Sequence, residues 1–246
     1  MPMSEHLSDR AYSLARPVAK RMIPPRWREP IRRRLRLPDP EVIELPPTPP
    51  DPQIQARAGI SRRYGLDPDT LDGALLHDVE IEAIIGAVEA RPGGSFLVFG
   101  CGNDSRLWER VNRAGRTVFL EHHPEWAARV SETIAAKVVP VSYWTRRTQW
   151  ADLLDQPERL GMSLPSTIRD HSWDVVFVDG PTGFDDDTPG RMQSIFEASR
   201  LVSAGGMVFV HDCERPVEAA YSTVYLGSAR QSVSVWGHAL LNGYSF

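Results

Sequence analysis

At 246 residues the chain is long enough for one ordinary α/β domain plus an appendage, and 41% hydrophobic with 24% charged residues is the composition of a globular protein. Its two cysteines, Cys101 and Cys213, are too few for a disulfide framework and fit a reducing compartment. No apolar run reaches the ~18 residues that a membrane span needs, and no apolar core of a signal peptide stands at the N-terminus. The net charge of −4 hides an asymmetry: residues 1–36 carry ten Lys/Arg and three Asp/Glu, a balance of +7, which leaves −11 for the remainder. The basic arm around Arg32–Arg36 suits an acidic partner or a membrane surface, or it is a solvated extension. Taken together these features predict a cytoplasmic protein with no nucleic-acid partner, and the Arg- and Ala-rich composition suggests a bacterial source.

The elements follow in chain order. Residues 1–36 suit one or two short helices broken at Pro24-Pro25 and Pro30. Residues 37–52 are proline-dense and read as an extended linker that can form neither helix nor central strand. The division is therefore 1–52, a basic and proline-rich arm, and 53–246, the folded domain. A weak helix is expected before Gly65, and helical spacing of apolar residues predicts another over 75–90. Ser95–Phe99 is a short apolar run, fit for a buried parallel strand. A glycine turn, a helix carrying Leu107, Trp108 and Val111, and a second strand over 116–120 follow. Pro124 opens the next helix. Strands are then expected over 138–143, 173–178 and 206–210, with helices over 150–160, 191–202 and 216–226 between and after them. Two last strands lie within 231–246. Strands alternating with helices predict a mostly parallel, seven-stranded sheet covered on both faces, with one late strand antiparallel near an edge. That is the Rossmann-like layout of a class I S-adenosylmethionine (SAM) methyltransferase.

The stretch Gly100-Cys101-Gly102-Asn103-Asp104-Ser105 joins the first strand of the domain to the helix after it. Two glycines after a strand and before a helix, with Glu121 about 20 residues after the turn, form the pattern that holds the ribose of a nucleotide-like cofactor. A dinucleotide needs a third glycine for its pyrophosphate, and here that position is Ser105, next to the carboxylate of Asp104. SAM carries an ammonium, a carboxylate and a sulfonium but no phosphate, so Asp104 is tolerable beside it. Gly100, Cys101 and Gly102 would lie against its methionine part, Glu121 would take its ribose hydroxyls, and Tyr143 or Trp144 would border the adenine.

Chemistry in such a sheet sits beyond the carboxyl ends of the strands. Asp179 arrives there after the fourth strand, and His211 with Asp212 after the fifth. Two carboxylates and an imidazole are a donor set for a divalent metal (Mg, Mn or Co) that would activate a hydroxyl. Otherwise Asp179 or His211 alone serves as general base, or the two acids merely cap the helices that follow. Arg191 would hold a substrate carboxylate or pair with Asp185–Asp187.

The blocks FLVFGCGNDSRLW, GRTVFLE, WDVVFVDGPTGF with TPGRM, and VFVHDCERPVE resemble, in order and spacing, the plant glucuronoxylan 4-O-methyltransferase family, also described as a polysaccharide-biosynthesis domain. The resemblance covers roughly 95–227. It implies SAM-dependent O-methylation of a hydroxylated, sugar-acid or otherwise carboxylated acceptor. It assigns Gly100, Gly102 and Glu121 to SAM, and places Asp179, His211, Asp212 and Arg191 around the acceptor or a metal. The plant members are Golgi proteins with a membrane anchor, in place of which this chain has the basic arm and linker. Two alternatives stand beside this expectation: a non-catalytic protein that binds a glycan or partner during polysaccharide assembly, and N-methylation of a small amine. Homo-oligomerisation is left open.

Overall fold

The computed structural model describes residues 42–45, 50–235 and 238–246. The short helices and basic arm expected over 1–36 lie outside them. Among the described residues, eight strands form one sheet: β1 Val42–Leu45, β2 Ser95–Phe99, β3 Arg116–Glu121, β4 Lys137–Pro140, β5 Trp173–Val178, β6 Val202–Val210, β7 Gln231–Val235 and β8 His238–Ser245. Their spatial order is β1-β7-β8-β6-β5-β2-β3-β4. All pairings are parallel except those of β8, which runs antiparallel to both β6 and β7. The seven strands β2–β8 make up the Rossmann-like methyltransferase sheet, including the antiparallel insertion expected near an edge.

The eighth strand differs from the expectation. The proline-dense linker is extended over Val42–Leu45, but this piece pairs with β7 through a four-residue parallel register. An edge strand bonds along one side only, so flanking prolines do not prevent it. Among the described residues the helices are α1 Pro50–Arg63, α2 Asp78–Glu89, α3 Ser105–Val111, α4 Pro124–Ser131, α5 Trp150–Leu153, α6 Ser166–Arg169, α7 Met192–Leu201 and α8 Pro216–Leu226. The single helix expected over 150–160 is instead α5 flanked by two short 3-10 turns, Arg147–Gln149 and Pro157–Arg159. Pro157 cannot supply the amide that would carry a helix through. Strand β4 stops at Pro140, three residues short of the Tyr143 end expected for it.

Alternate residues of the central strands build two cores. Leu97, Phe99, Val176, Val178, Val208 and Val210 face α7 and α8, whose Ile195, Ala198, Val217 and Tyr221 complete that layer. Phe96, Val98, Val175, Phe177 and Phe209 face α2 and α3, with Ile81, Ile84, Leu107 and Trp108. Both faces being apolar is what a parallel sheet with helices on each side requires. Among the described residues, no helix is long and apolar enough to cross a membrane.

Candidate active site

Register assembles the site. Phe99 pairs with both Leu120 and Val178, and Val178 with Val210. Four strands therefore reach their carboxyl ends in one row, and the residue after each of these paired positions is Gly100, Glu121, Asp179 or His211. Ladder bonds run into that row: Gly100 N–H donates to Leu120 O (2.8 Å), Asp179 N–H to Phe99 O (3.0 Å) and His211 N–H to Val178 O (3.1 Å). Gly100 has φ +100°, a conformation that favours glycine. A Cβ on Gly180 would stand 2.9 Å from Gly100 Cα, so the two turns touch backbone to backbone.

The donor side is built on Glu121. This carboxylate is buried and accepts from Cys101 N–H (3.0 Å), from His123 N–H (2.6 Å) and from His122 Nδ1 (3.0 Å). Burial opposes its ionisation, but those bonds prevail and hold it below the usual carboxylate range. Tyr143 stacks edge-on against His122, with ring centroids 5.6 Å apart, and its phenol oxygen accepts from Ser194 Oγ at 3.0 Å. Tyr143 thus stands behind the acid, although it lies beyond the strand that was expected to carry it. Gly102 N–H donates to Ser105 Oγ (2.9 Å), which shapes the turn into α3. Asp104 precedes α3 without capping it through its side chain. Burial, then the nearby Asp179 charge, pushes its carboxyl up to about 6.

The other half is an ionic cluster. His211 Nδ1 lies 2.9 Å from Asp179 Oδ1 and 3.7 Å from Asp212 Oδ2, and its Nε2 lies 3.7 Å from Glu80 Oε2. Arg191 Nη2 bridges Asp179 Oδ1 (2.9 Å) and Asp212 Oδ2 (2.8 Å), and also donates to Asp179 O (2.7 Å). Its Nη1 donates to His211 O. Arg215 Nη2 binds Asp212 Oδ2 from the other side at 2.9 Å. Burial works against an imidazolium, but Asp212 and Asp179 raise the His211 pKa well above its ordinary value. Asp212 is driven the other way: Arg191, His211 and Arg215 outweigh its burial and keep it ionised. It also sits at φ +63°, an uncommon conformation for a non-glycine residue. The side chain of Asp179 is 27% exposed, whereas those of Arg191, His211 and Asp212 are at most 5% exposed. Asp179 is the member of the cluster that meets solvent.

Two expectations change here. Ligand atoms of Asp179, His211 and Asp212 do lie within 4.8 Å of one another. The guanidinium of Arg191, however, bonds the same two carboxylates, and a divalent ion placed among them would meet that fixed cation. The three residues in this arrangement do not fit a metal. Nor does Arg191 reach outward for a substrate carboxylate, or pair with the acidic loop. That loop is held by Arg147, which bonds Asp185 O (2.9 Å) and pairs with Asp186, and by Arg146, 3.5 Å from Asp187. Asp212 caps nothing through its side chain either, since α8 starts without a side-chain cap.

Sequence reasoning passed over Glu80, Arg215 and Glu218. Glu80 and Glu218 lie on the buried faces of α2 and α8, 0% and 1% exposed. An acid in phase with the apolar residues of its helix was the available signal. For Glu80 a capping box with His77 offered a local explanation, and that bond is present at 2.8 Å.

The family model described as IRX15/IRX15L/GXM matches residues 79–160 and 158–238. Glucuronoxylan 4-O-methyltransferase 2 of Arabidopsis thaliana is 33% identical over 192 residues, which cover 65% of this chain and 66% of the relative. Arabinogalactan O-methyltransferase 2 of the same plant is 32% identical over 173 residues, 60% of each chain. The chain thus spans just under two thirds of the length of these relatives. Both are plant proteins and lend the expected bacterial source no support. Among solved structures, a TehB-like SAM-dependent methyltransferase from Corynebacterium glutamicum aligns at TM-score 0.47 and 15% identity, covering 78% of this chain and 98% of that one.

Proposed function

The chain belongs to the IRX15/IRX15L/GXM family, and from that premise we propose that it is a SAM-dependent O-methyltransferase acting on a hydroxylated, carboxylated saccharide. The observation that carries this reading is the single row of Gly100, Glu121, Asp179 and His211 at the carboxyl edge of four adjacent strands. A donor turn and an acceptor-side acid stand side by side there, as methyl transfer between two bound molecules requires.

SAM would lie with its methionine part along Gly100–Gly102 and its ribose at Glu121. Two features of the site fit this placement. Gly100 and Gly102 have no side chain to obstruct a close approach, and Cys101 is the one side chain between them. Of the two Glu121 oxygens, Oε2 takes one backbone bond, from Cys101 N–H, whereas Oε1 takes the bonds from His122 and His123. His122 and Tyr143 flank the acid on the side where an adenine would rest. Asp104 offers a carboxyl to the ammonium. SAM supplies an electrophilic methyl group; the protein supplies position and charge.

On the acceptor side, Asp179 Oδ1 is committed to His211 and Arg191, which leaves Oδ2 to accept from a saccharide hydroxyl beside the one that is methylated and so to orient the acceptor. His211, held as imidazolium, and Arg191 fix the Asp179 side chain and cannot themselves take a proton from it. They are positioning residues. Arg191 also clamps the Asp179 carbonyl, and with it the Asp179-Gly180 peptide that lies against Gly100. No step needs a metal. A reducing, cytoplasmic setting is proposed on the two free cysteines.

The test has two parts. Calorimetry should show SAM binding. Labelled methyl should pass from SAM to a xylan oligosaccharide bearing glucuronic acid. No heat of SAM binding by the wild type would refute the reading. Binding without transfer to that oligosaccharide would refute the choice of acceptor alone.

A further inference from the structure

Glu218 is the third residue of α8, where a glutamate ordinarily reaches back to the N–H at the start of its own helix. That use is closed. Arg215 N–H is taken by Asp212 O at 2.9 Å, and no side-chain bond caps α8. The Glu218 side chain is 1% exposed, and neither of its carboxyl oxygens has a hydrogen-bond partner. A buried acid left without partners is costly and needs a reason.

Its surroundings supply one. The segment between Thr182 and Gly190 packs directly against it: a Cβ on Gly183 would stand 3.0 Å from Glu218 Oε1 and 3.7 Å from Arg215 Nη1. The same segment grows out of Asp179 and Gly180, the second of which touches the donor turn at Gly100. Glu218 therefore packs against the loop that follows the Asp179-Gly180 turn beside Gly100. The loop is fastened on its outer side by Arg147, which bonds Asp185 O (2.9 Å) and Thr188 O (2.8 Å) and pairs with Asp186, and by the exposed Arg146–Asp187 pair, which holds weakly. The charged and titratable groups that act on Glu218 are Arg215, Arg191, Asp212 and, from the turn before α8, Cys213. Burial, against the pull of Arg215 and Arg191, lifts its carboxyl to about 7. Asp179 is held by Arg191 and by His211, whose own pKa is raised well above its ordinary value.

We propose that Glu218 is the proton acceptor for the substrate hydroxyl, reached when the loop between Thr182 and Gly190 lifts and the acceptor enters. This assignment rests on the methyltransferase reading. The acceptor oxygen exchanges its O–H bond for an O–CH3 bond, and the donor's carbon–sulfur bond breaks with its electron pair left on sulfur. The proton passes to a Glu218 carboxylate oxygen, and from there to water when the loop reopens.

Glu218→Gln keeps the shape and removes the base; Glu218→Asp keeps the base and shortens it. Both are compared with the wild type, as full chains, by SAM calorimetry, by the pH profile of methyl transfer to the glucuronic-acid-bearing xylan oligosaccharide, and by infrared titration of the carboxyl band. Glu218→Gln should bind SAM within about twofold of the wild type, yet lose on the order of 100-fold in turnover. The limb of its profile near neutral pH should vanish. Glu218→Asp should recover part of the rate. In the infrared, a protonated carboxyl that persists to neutral pH should be seen in the wild type and be missing from Glu218→Gln. Unchanged turnover and profile in Glu218→Gln would overturn the assignment while leaving the methyltransferase reading intact. A wild type that does not bind SAM removes both. If SAM binds and that oligosaccharide is not methylated, the infrared titration decides, and no neutral-pH carboxyl means no base at Glu218.

Discussion

Arg191→Met is the most informative single change. Methionine keeps much of the apolar stem and removes the cation. It leaves the Asp179 and Asp212 carboxylates, and the carbonyls of Asp179 and His211, without the donor they share. Removing one partner of a buried ion pair costs about 3–5 kcal/mol, because the remaining charge stays desolvated. Two carbonyls losing a donor add roughly 1 kcal/mol each. Compensation is available: Asp212 keeps Arg215 at 2.9 Å and the His211 imidazolium at 3.7 Å, and Asp179 is partly solvated. The expected loss is therefore about 3–4 kcal/mol, a large share of the 5–15 kcal/mol that holds a domain together. Urea unfolding followed by circular dichroism measures it, in a cycle of wild type, Arg191→Met, Asp212→Asn and the double variant. Removing both charges should cost less than the sum of the single changes, with a coupling of about 2 kcal/mol. A loss below about 1 kcal/mol, or strict additivity, would refute the view of Arg191 as the central clamp of the site.

Glu121→Ala should weaken SAM binding by about tenfold or more, since a charge-assisted bond to ribose and the hold on Cys101 N–H both go; equal affinity by calorimetry would sink the donor site. Gly180→Ala forces a Cβ to within 2.9 Å of Gly100 Cα and 3.2 Å of Phe99 O. Overpacking of this kind costs about 1–3 kcal/mol, seen as a lowered midpoint in urea, and it should shift the donor turn enough to reduce SAM affinity. Glu218 has a folded pKa raised from 4.5 to about 7. The folded state thus holds this proton more tightly than the unfolded chain. The stability so gained is fully present below about pH 4.5 and is lost as pH rises through about 7. Relative to Glu218→Gln, the wild type should lose on the order of 3 kcal/mol across that window; a constant difference between the two would contradict the buried acid. Finally, chelation should leave turnover unchanged, because Arg191 stands where a cation would. Activity lost to the chelator and restored by Mg, Mn or Co would reverse that conclusion.

The donor half of this molecule was legible in the chain itself. Ser95–Phe99, the glycine turn, α3, β3 and Glu121 are contiguous, and each is specified by local chemistry: an apolar run, a positive φ at Gly100, polar residues opening a helix, and an acid at a strand end. Asp179 and His211 were visible for the same reason, as polar residues ending apolar strands. Tertiary structure decided what those residues do to one another. A guanidinium placed by α7 can point outward to a ligand or inward to two acids, and spacing along the chain does not distinguish them. Only the packing of α7 against β5 and β6 turned Arg191 inward and made a metal triad into an ion-pair cluster. Glu80 and Glu218 stayed hidden because each occupies a helix start, where an acid has a local use. It took the burial of α2 and α8 on opposite faces of the sheet to bring one against His211 and leave the other without a partner. Local sequence thus fixed where the backbone turns and which groups end each strand. The register of the parallel sheet, which depends on contacts between residues far apart in the chain, decided that Gly100, Glu121, Asp179 and His211 stand in one row.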